Sequence, residues 1–312
     1  MLTVAFTDFV FEDRDEIRLE GCEFRIFPPL RTAAEIVAAA EGADVLCMRD
    51  QFGQVGREVL ERLPWLRLIV TRSVGYDHID LDEARRHGVV VCNVPDYGAH
   101  MIAEHAFALL LAVARHVVTG HNRYTQERVF SDRGLQGVEL YGKCLGVVGT
   151  GRIGLHSARL ARAFGMEVLA HDVAPNRDAA QAIGFRYVPL EELLAASDAV
   201  TLHVVLNDST HHLLNADRLA LMKQGAILVN TSRGGVVDTQ ALIAALGSGH
   251  LGGAGLDVLE GERDTYHDLG GLNVVVTPHV GWYTDGAVRR ILHVTLEDIV
   301  AFMRGEPINR LA

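Results

Sequence analysis

Gly149, Gly151 and Gly154 stand in the order G-x-G-x-x-G within LGVVGTGRIGLHSARLARAFGMEVLAHD, between an apolar run and a helical pattern. The spacing suits a phosphate-binding turn. The first glycine permits the tight turn, the second lets a pyrophosphate approach the backbone, and the third lets helix and strand pack closely. The helix that follows offers free N–H groups and the positive end of its dipole to the phosphates. The next apolar run, EVLAHD, ends at Asp172, near the roughly 20-residue distance at which an acid receives a ribose 2′-hydroxyl. An aspartate there repels a 2′-phosphate, so the turn predicts NAD rather than NADP.

Three further apolar runs lead into polar residues. ILVNTSRGGVVD places Arg233 in a Ser-Arg-Gly-Gly turn, GLDVLEGE places Asp257, Glu260 and Glu262, and VVVTPHV places His279. Ligands of open α/β sheets bind beyond the carboxyl ends of the strands, so these residues can converge although they are distant in sequence. A guanidinium can hold a carboxylate and polarise a neighbouring carbonyl. A histidine can give a proton to a carbonyl oxygen and take it back. A carboxylate beside that histidine favours its charged form. Arg233, Glu262 and His279 are therefore the candidate catalytic set. Glu260 is the weakest of these acids and reads as readily as an exposed residue. His203, ending AVTLHV, is either a cofactor-side contact or a satisfied core histidine. The pair His211-His212 and the spacing of His100 to His105 match no zinc pattern, and no metal site is expected.

The elements that must position these residues are legible. LTVAFT, EFRIF, DVLCM, LRLIV and VVVCN read as strands, with AAEIVAAAEG, GREVLERL and DLDEARRHG as helices between them. KCLGVVG, EVLAHD, AVTLHV, GAILVN, LGGAGLDV and LNVVVT repeat the rhythm after a change near NVPDYGAHMIAEH. Alternating strand and helix predicts an α/β fold with two Rossmann-like, doubly wound parallel sheets. The long helical segment DGAVRRILHVTLEDIVAFMRG is expected to return to the first unit and make that flavodoxin-like domain discontinuous. The expected division is residues 1–96 with 285–312 as a substrate-binding domain and 97–284 as the NAD-binding domain.

Net charge is −11, and 22% of the residues are charged. Non-specific nucleic-acid or anionic-membrane binding needs a basic face, so neither partner is expected. Four separated cysteines without a C-x-x-C pair suit a reducing, cytoplasmic compartment. The N-terminus turns acidic without a basic region, unlike a signal peptide. The longest apolar run, Ile102 to Val118, is interrupted by Glu104, His105, Arg115 and His116 and reads as one buried or interface helix rather than a membrane span.

Together the motifs GVVGTGRIG, NTSRGGVVD, GLDVLEGE and TPHVGWYT, with LPWLRLIVTRSVGYDHIDLDEARRHGVVVCNVPDYGAHMIAEHAFALLL before them, resemble the NAD-dependent D-isomer-specific 2-hydroxyacid dehydrogenases over nearly the whole chain. The resemblance implies two Rossmann-like domains with the active site in the cleft between them. It implies hydride transfer between NAD(H) and a small 2-keto or D-2-hydroxy acid, and a homodimer formed through the cofactor domain. It assigns the family's arginine, glutamate and histidine to Arg233, Glu262 and His279. It assigns a carboxylate-binding backbone loop to Ser73, Val74 and Gly75. Cofactor contacts fall on Gly149, Gly151, Arg152, Ile153, Gly154, Asp172, His203, Val204, Val205, Thr210, Thr231, Ser232 and Asp257, the last binding the nicotinamide amide. Tyr97 and Trp282 look most like the D-lactate and D-hydroxyisocaproate branch, which implies that they line the substrate pocket, with pyruvate and D-lactate as the candidate pair. The alternatives are an NAD(H)-sensing, corepressor-like binding protein and a phosphite dehydrogenase.

Overall fold

The computed structural model describes residues 1–7, 17–49, 53–261 and 265–312. The chain forms two compact units, Met1–Tyr97 with Thr284–Ala312, and Gly98–Tyr283.

In the first unit, strands β1 (Leu2–Phe6), β2 (Cys22–Ile26), β3 (Val45–Met48), β4 (Leu68–Thr71) and β5 (Val90–Asn93) form a parallel sheet in the order β2-β1-β3-β4-β5. Parallel neighbours need long crossovers, and helices α1 (Ala33–Ala39), α2 (Arg57–Leu60) and α3 (Leu81–Arg86) lie within them. A capping box starts α1: Glu35 N–H donates to Thr32 Oγ1 at 3.2 Å, and Thr32 N–H to Glu35 Oε2 at 3.0 Å. Alternate strand residues face opposite sides of a sheet. Ala5, Leu46, Ile69 and Val91 accordingly join the core under α1 to α3. Val4, Val45, Cys47, Leu68, Val70 and Cys92 join a second core with Leu292 and Ile299 of the C-terminal helix Asp285–Met303. Beyond that helix the chain pairs with β5: Leu311 N–H donates to Val91 O at 2.7 Å, and Arg310 bridges Cys92 in antiparallel sense. The edge of β5 is thereby covered.

The second unit holds helices α4 (Ala99–Ala114) and α5 (Val117–Glu127), then β6 (Cys144–Val148), α6 (Arg152–Ala163), β7 (Glu167–His171), α7 (Arg177–Ile183), β8 (Arg186–Tyr187), α8 (Leu190–Ala196), β9 (Ala199–Leu202), α9 (Ala216–Leu221), β10 (Ala226–Asn230), α10 (Thr239–Gly247), β11 (Leu251–Leu256) and β12 (Val274–Val276). Its sheet runs β12-β11-β10-β9-β6-β7-β8, parallel throughout. The chain winds outward from β6 to β8 and then crosses to β9, so the order reverses between β6 and β9. Ligands of doubly wound sheets bind at such a switch point.

One expectation changes. The apolar run from Ile102 to Val118 is two helices bent by 63°, not one. Val138 N–H takes the carbonyl of Ala114 at 2.8 Å, which an unbroken helix would give to the N–H of residue 118, and His116 turns left-handed with φ 52°. The two-residue strand β8 is too short to show a period. Packing of α4 on β11 depends on glycine: a Cβ on Gly255 would lie 2.7 Å from Leu109 Cβ, and one on Gly253 2.5 Å from Val113 Cγ1. Among the described residues no single helix is long and apolar enough to cross a membrane.

Candidate active site

One register row crosses six strands of the second sheet: His171, Val148, Leu202, Asn230, Leu256 and Val276 are successive partners. The chain leaves each strand at that row. Asp172, Gly149, His203, Arg233, Asp257 and His279 all lie within three residues of it. The parallel pairing therefore gathers side chains spread over more than a hundred residues along one sheet edge.

At β6 the glycine turn opens α6. Gly149 has φ 89°, a backbone region that side chains rarely enter. Gly154 lies so close to the turn that a Cβ would fall 2.0 Å from Gly149 O. Nothing stands within 4 Å of a Cβ built on Gly151, the residue that opens α6, and Gly151 gives that helix no side-chain cap. Asp172 closes the turn from β7. Its carboxylate accepts from Thr150 N–H at 2.6 Å, Thr150 Oγ1 at 2.9 Å and Ala174 N–H at 2.8 Å. Burial pushes this carboxyl up, but those bonds outweigh it and hold the group below the usual range.

At β9, His203 Nε2 lies 2.9 Å from Ser157 Oγ and 3.1 Å from Thr201 Oγ1. Burial lowers its pKa to about 3, so the ring is neutral at physiological pH. Val204 packs at the glycine turn, where a Cβ on Gly149 would lie 3.0 Å from its Cγ1, and Val205 is exposed. The Thr210 hydroxyl donates to Val205 O at 2.6 Å and accepts from Asn207 N–H at 2.8 Å, which fixes that loop.

At β10, Asn230 shapes the arginine turn. Its Oδ1 accepts from Ser232 N–H and Oγ, and its Nδ2 donates to Arg233 O at 2.9 Å. Gly234 lets this turn meet the next loop: a Cβ there would lie 2.1 Å from Leu259 O and 2.4 Å from Glu260 N. Thr231 Oγ1 is buried without a hydrogen-bond partner among the described residues. That orphaned hydroxyl, the close-packed glycine turn and the uncapped helix start fit a dinucleotide along this edge.

At β11 and β12 one carboxylate holds the histidine loop. Asp257 is 2% exposed. Its Oδ1 accepts from Thr277 Oγ1 at 2.5 Å and Val280 N–H at 2.9 Å, and its Oδ2 from Gly281 N–H at 2.8 Å. Burial pushes this carboxyl up, yet its bonds from His105, Thr277, Val280 and Gly281 leave it below the usual range. His279 sits between, left-handed with φ 55°, its N–H on Asp257 O at 2.8 Å and its carbonyl accepting from Trp282 Nε1 at 2.9 Å.

Sequence reasoning missed two members of this neighbourhood. His105 of α4 puts Nε2 2.9 Å from Thr277 Oγ1 and 3.3 Å from Asp257 Oδ1. No spacing signals it, because the sheet brings it to partners some 150 residues away. Glu260, read as readily exposed, is half-buried and bonded to His212 Nε2 at 2.6 Å. Glu262 lies outside the described residues. Ser73, Val74, Gly75 and Tyr97 belong to the first unit. There Ser73 Oγ donates to Gly75 O at 2.7 Å, Asn93 Nδ2 donates to Val74 O at 2.9 Å, and Arg290 Nε donates to Tyr97 O at 2.6 Å.

Residues 107–281 match the sequence profile of the D-isomer specific 2-hydroxyacid dehydrogenase, NAD binding domain. The chain belongs to that family. It is an NAD-dependent dehydrogenase of 2-hydroxy acids. The dehydrogenase is 45% identical to the glyoxylate reductase of Pyrococcus furiosus over 81% of this chain and 77% of that one. It is 41% identical to D-lactate dehydrogenase kk1H of Curvularia clavata, over 88% and 83%. The crystal structure of D-lactate dehydrogenase from Aquifex aeolicus, complexed with NAD and lactic acid, superposes with a TM-score of 0.88 at 34% identity, covering 97% of this chain and 96% of that one.

Proposed function

We propose that the dehydrogenase reversibly reduces a short 2-keto acid to the 2-hydroxy acid, pyruvate to D-lactate or glyoxylate to glycolate. The observation that carries this reading is the single register row that delivers the glycine turn, Arg233 and His279 to one sheet edge. The names of the relatives support both substrates. Trp282, tied to the carbonyl of His279, is a bulky wall beside the histidine and favours a short side chain.

Bound NADH supplies the hydride. Arg233 holds the substrate carboxylate and polarises the carbonyl as negative charge grows on its oxygen. The His279 imidazole gives that oxygen its proton and recovers it in the reverse direction. Glu262 stabilises the protonated ring. Asp257 fixes the loop on which His279 rides, and Ser73 to Gly75 with Tyr97 bind the substrate carboxylate. The enzyme is a cytoplasmic homodimer in this reading, supported by its negative charge, free cysteines and the exposed aromatics beside α5.

NADH oxidation with pyruvate, glyoxylate, hydroxypyruvate, oxaloacetate, 2-ketoisocaproate and phenylpyruvate, followed by chiral analysis, tests the proposal. The highest kcat/KM is expected with pyruvate or glyoxylate, and pyruvate is expected to give D-lactate. Preference for phenylpyruvate, an L-product or no turnover across the panel refutes it.

A further inference from the structure

A second cluster of chemically able side chains lies beside the strand-end row. His211, His212 and Glu260 each present one ligand-type atom within 4.8 Å of the others. The two imidazoles stack with centroids 4.0 Å apart and planes 24° apart. We propose that these three side chains bind a divalent first-row metal ion of the zinc class, with water completing its coordination.

The donor set points to that class of ion. Two imidazole nitrogens and one carboxylate oxygen form a set that zinc accepts while leaving a fourth position open. Magnesium and calcium select oxygen ligands and discriminate against such a site.

The ligands are also held in place. His212 N–H donates to Gly235 O at 2.8 Å, with the residue left-handed at φ 48°, and His211 N–H donates to Asn207 O at 2.8 Å. Glu260 is fixed from three sides. Its second carboxylate oxygen accepts from Thr239 N–H at 3.3 Å, its carbonyl accepts from His267 Nε2 at 2.8 Å, and its main chain packs on Gly234. Such outer bonds orient a metal-binding carboxylate and are lost expensively.

The fit needs two movements: the His211 ring must turn out of its stack on His212 so that both nitrogens aim at one point, and the His212–Glu260 pair must open. His212 Nε2 and Glu260 Oε1 are joined by a hydrogen bond of 2.6 Å. Two ligand atoms of a tetrahedral zinc ion stand about 3.3 Å apart. The pair must open by less than an ångström for the metal to take the place of the hydrogen between them, and the neutral His212 imidazole then carries its one N–H hydrogen on Nδ1. The third ligand lies 48 residues beyond the histidine pair, which is why the sequence spacing carries no zinc signature.

Calorimetric titration of EDTA-treated, buffer-exchanged protein with zinc chloride tests the site. Wild type is expected to bind one equivalent in the micromolar range. His211→Ala, which leaves the His212–Glu260 bond intact, and Glu260→Gln, which keeps the side-chain shape, are each expected to bind at least about tenfold more weakly. Cobalt(II) should give the intense visible bands of a four-coordinate ion with wild type and not with His211→Ala. Zinc should raise the thermal midpoint of wild type more than that of either variant. Absence of binding by wild type, a weak octahedral cobalt spectrum, or equal affinity in wild type and both variants overturns the site. The His212–Glu260 contact is then an ion pair only. None of these readouts uses turnover, so the result stands apart from the proposed substrate.

Discussion

His279 is held in its loop by backbone hydrogen bonds. Its N–H reaches Asp257 O, the N–H groups of the two following residues reach the Asp257 carboxylate, and its own φ lies in the left-handed region. The loop is over-determined, as expected where a strained residue serves chemistry. Replacing only the ring should therefore leave the loop and the cofactor edge in place. For His279→Ala, kcat is expected to fall by at least about 10²-fold, the scale of general acid–base catalysis, with NADH affinity by fluorescence titration little changed. An unaltered kcat removes His279 from proton transfer. At this scale the sequence shows residue type but not occupation. Asp257, which the resemblance gives to the nicotinamide amide, also accepts from Thr277, Val280 and Gly281. Those partners arrive from a neighbouring strand and leave no local pattern.

Elements were the most legible level. In the second unit the apolar runs become β6, β7 and β9 to β12 with Gly149 in its turn, because a strand buried on both faces must be apolar and a phosphate turn must be small. The α4–α5 break was not legible, since it is made by Val138 capturing a carbonyl from more than twenty residues away. The break has a consequence for α5. None of its residues is buried, and Tyr124 meets Phe130 edge-on at 6.1 Å with Phe130 94% exposed. Tyr124 of α5 and Phe130 just beyond it form an exposed aromatic pair of the kind found at interaction surfaces. A mass of two chains is expected for wild type in sedimentation equilibrium, and Phe130→Asp should shift it toward one. An unchanged dimer moves the interface elsewhere, and a wild-type monomer removes it.

Across the whole molecule, stability depends on a buried acid in the first unit. Asp298 is 0% exposed; Asn309 Nδ2 donates to its Oδ1 at 2.9 Å, and its Oδ2 has no hydrogen-bond partner among the described residues. Burial, with Glu297 adding to it and the Asn309 bond opposing, raises its pKa to about 7. The folded chain therefore prefers the protonated acid. This contribution is complete below the unfolded value near 4 and is lost as pH rises through about 7. At about 1.4 kcal/mol per pKa unit, the rise from near 4 to about 7 makes the loss of order 4 kcal/mol. Thermal midpoints between pH 5 and 8 should fall more steeply for wild type than for Asp298→Asn, and parallel curves would refute the assignment.

The same unit takes its final helix and its last edge partner from residues 285–312, after the other unit is already complete in the chain. During synthesis, the glycine-turn half has everything it needs to fold while still tethered to the ribosome. Its companion must keep a five-stranded sheet with one bare flank waiting until residues 285–312 have been made. A chaperone that shields exposed strands would find its work there, on the unit begun before its neighbour and completed after it.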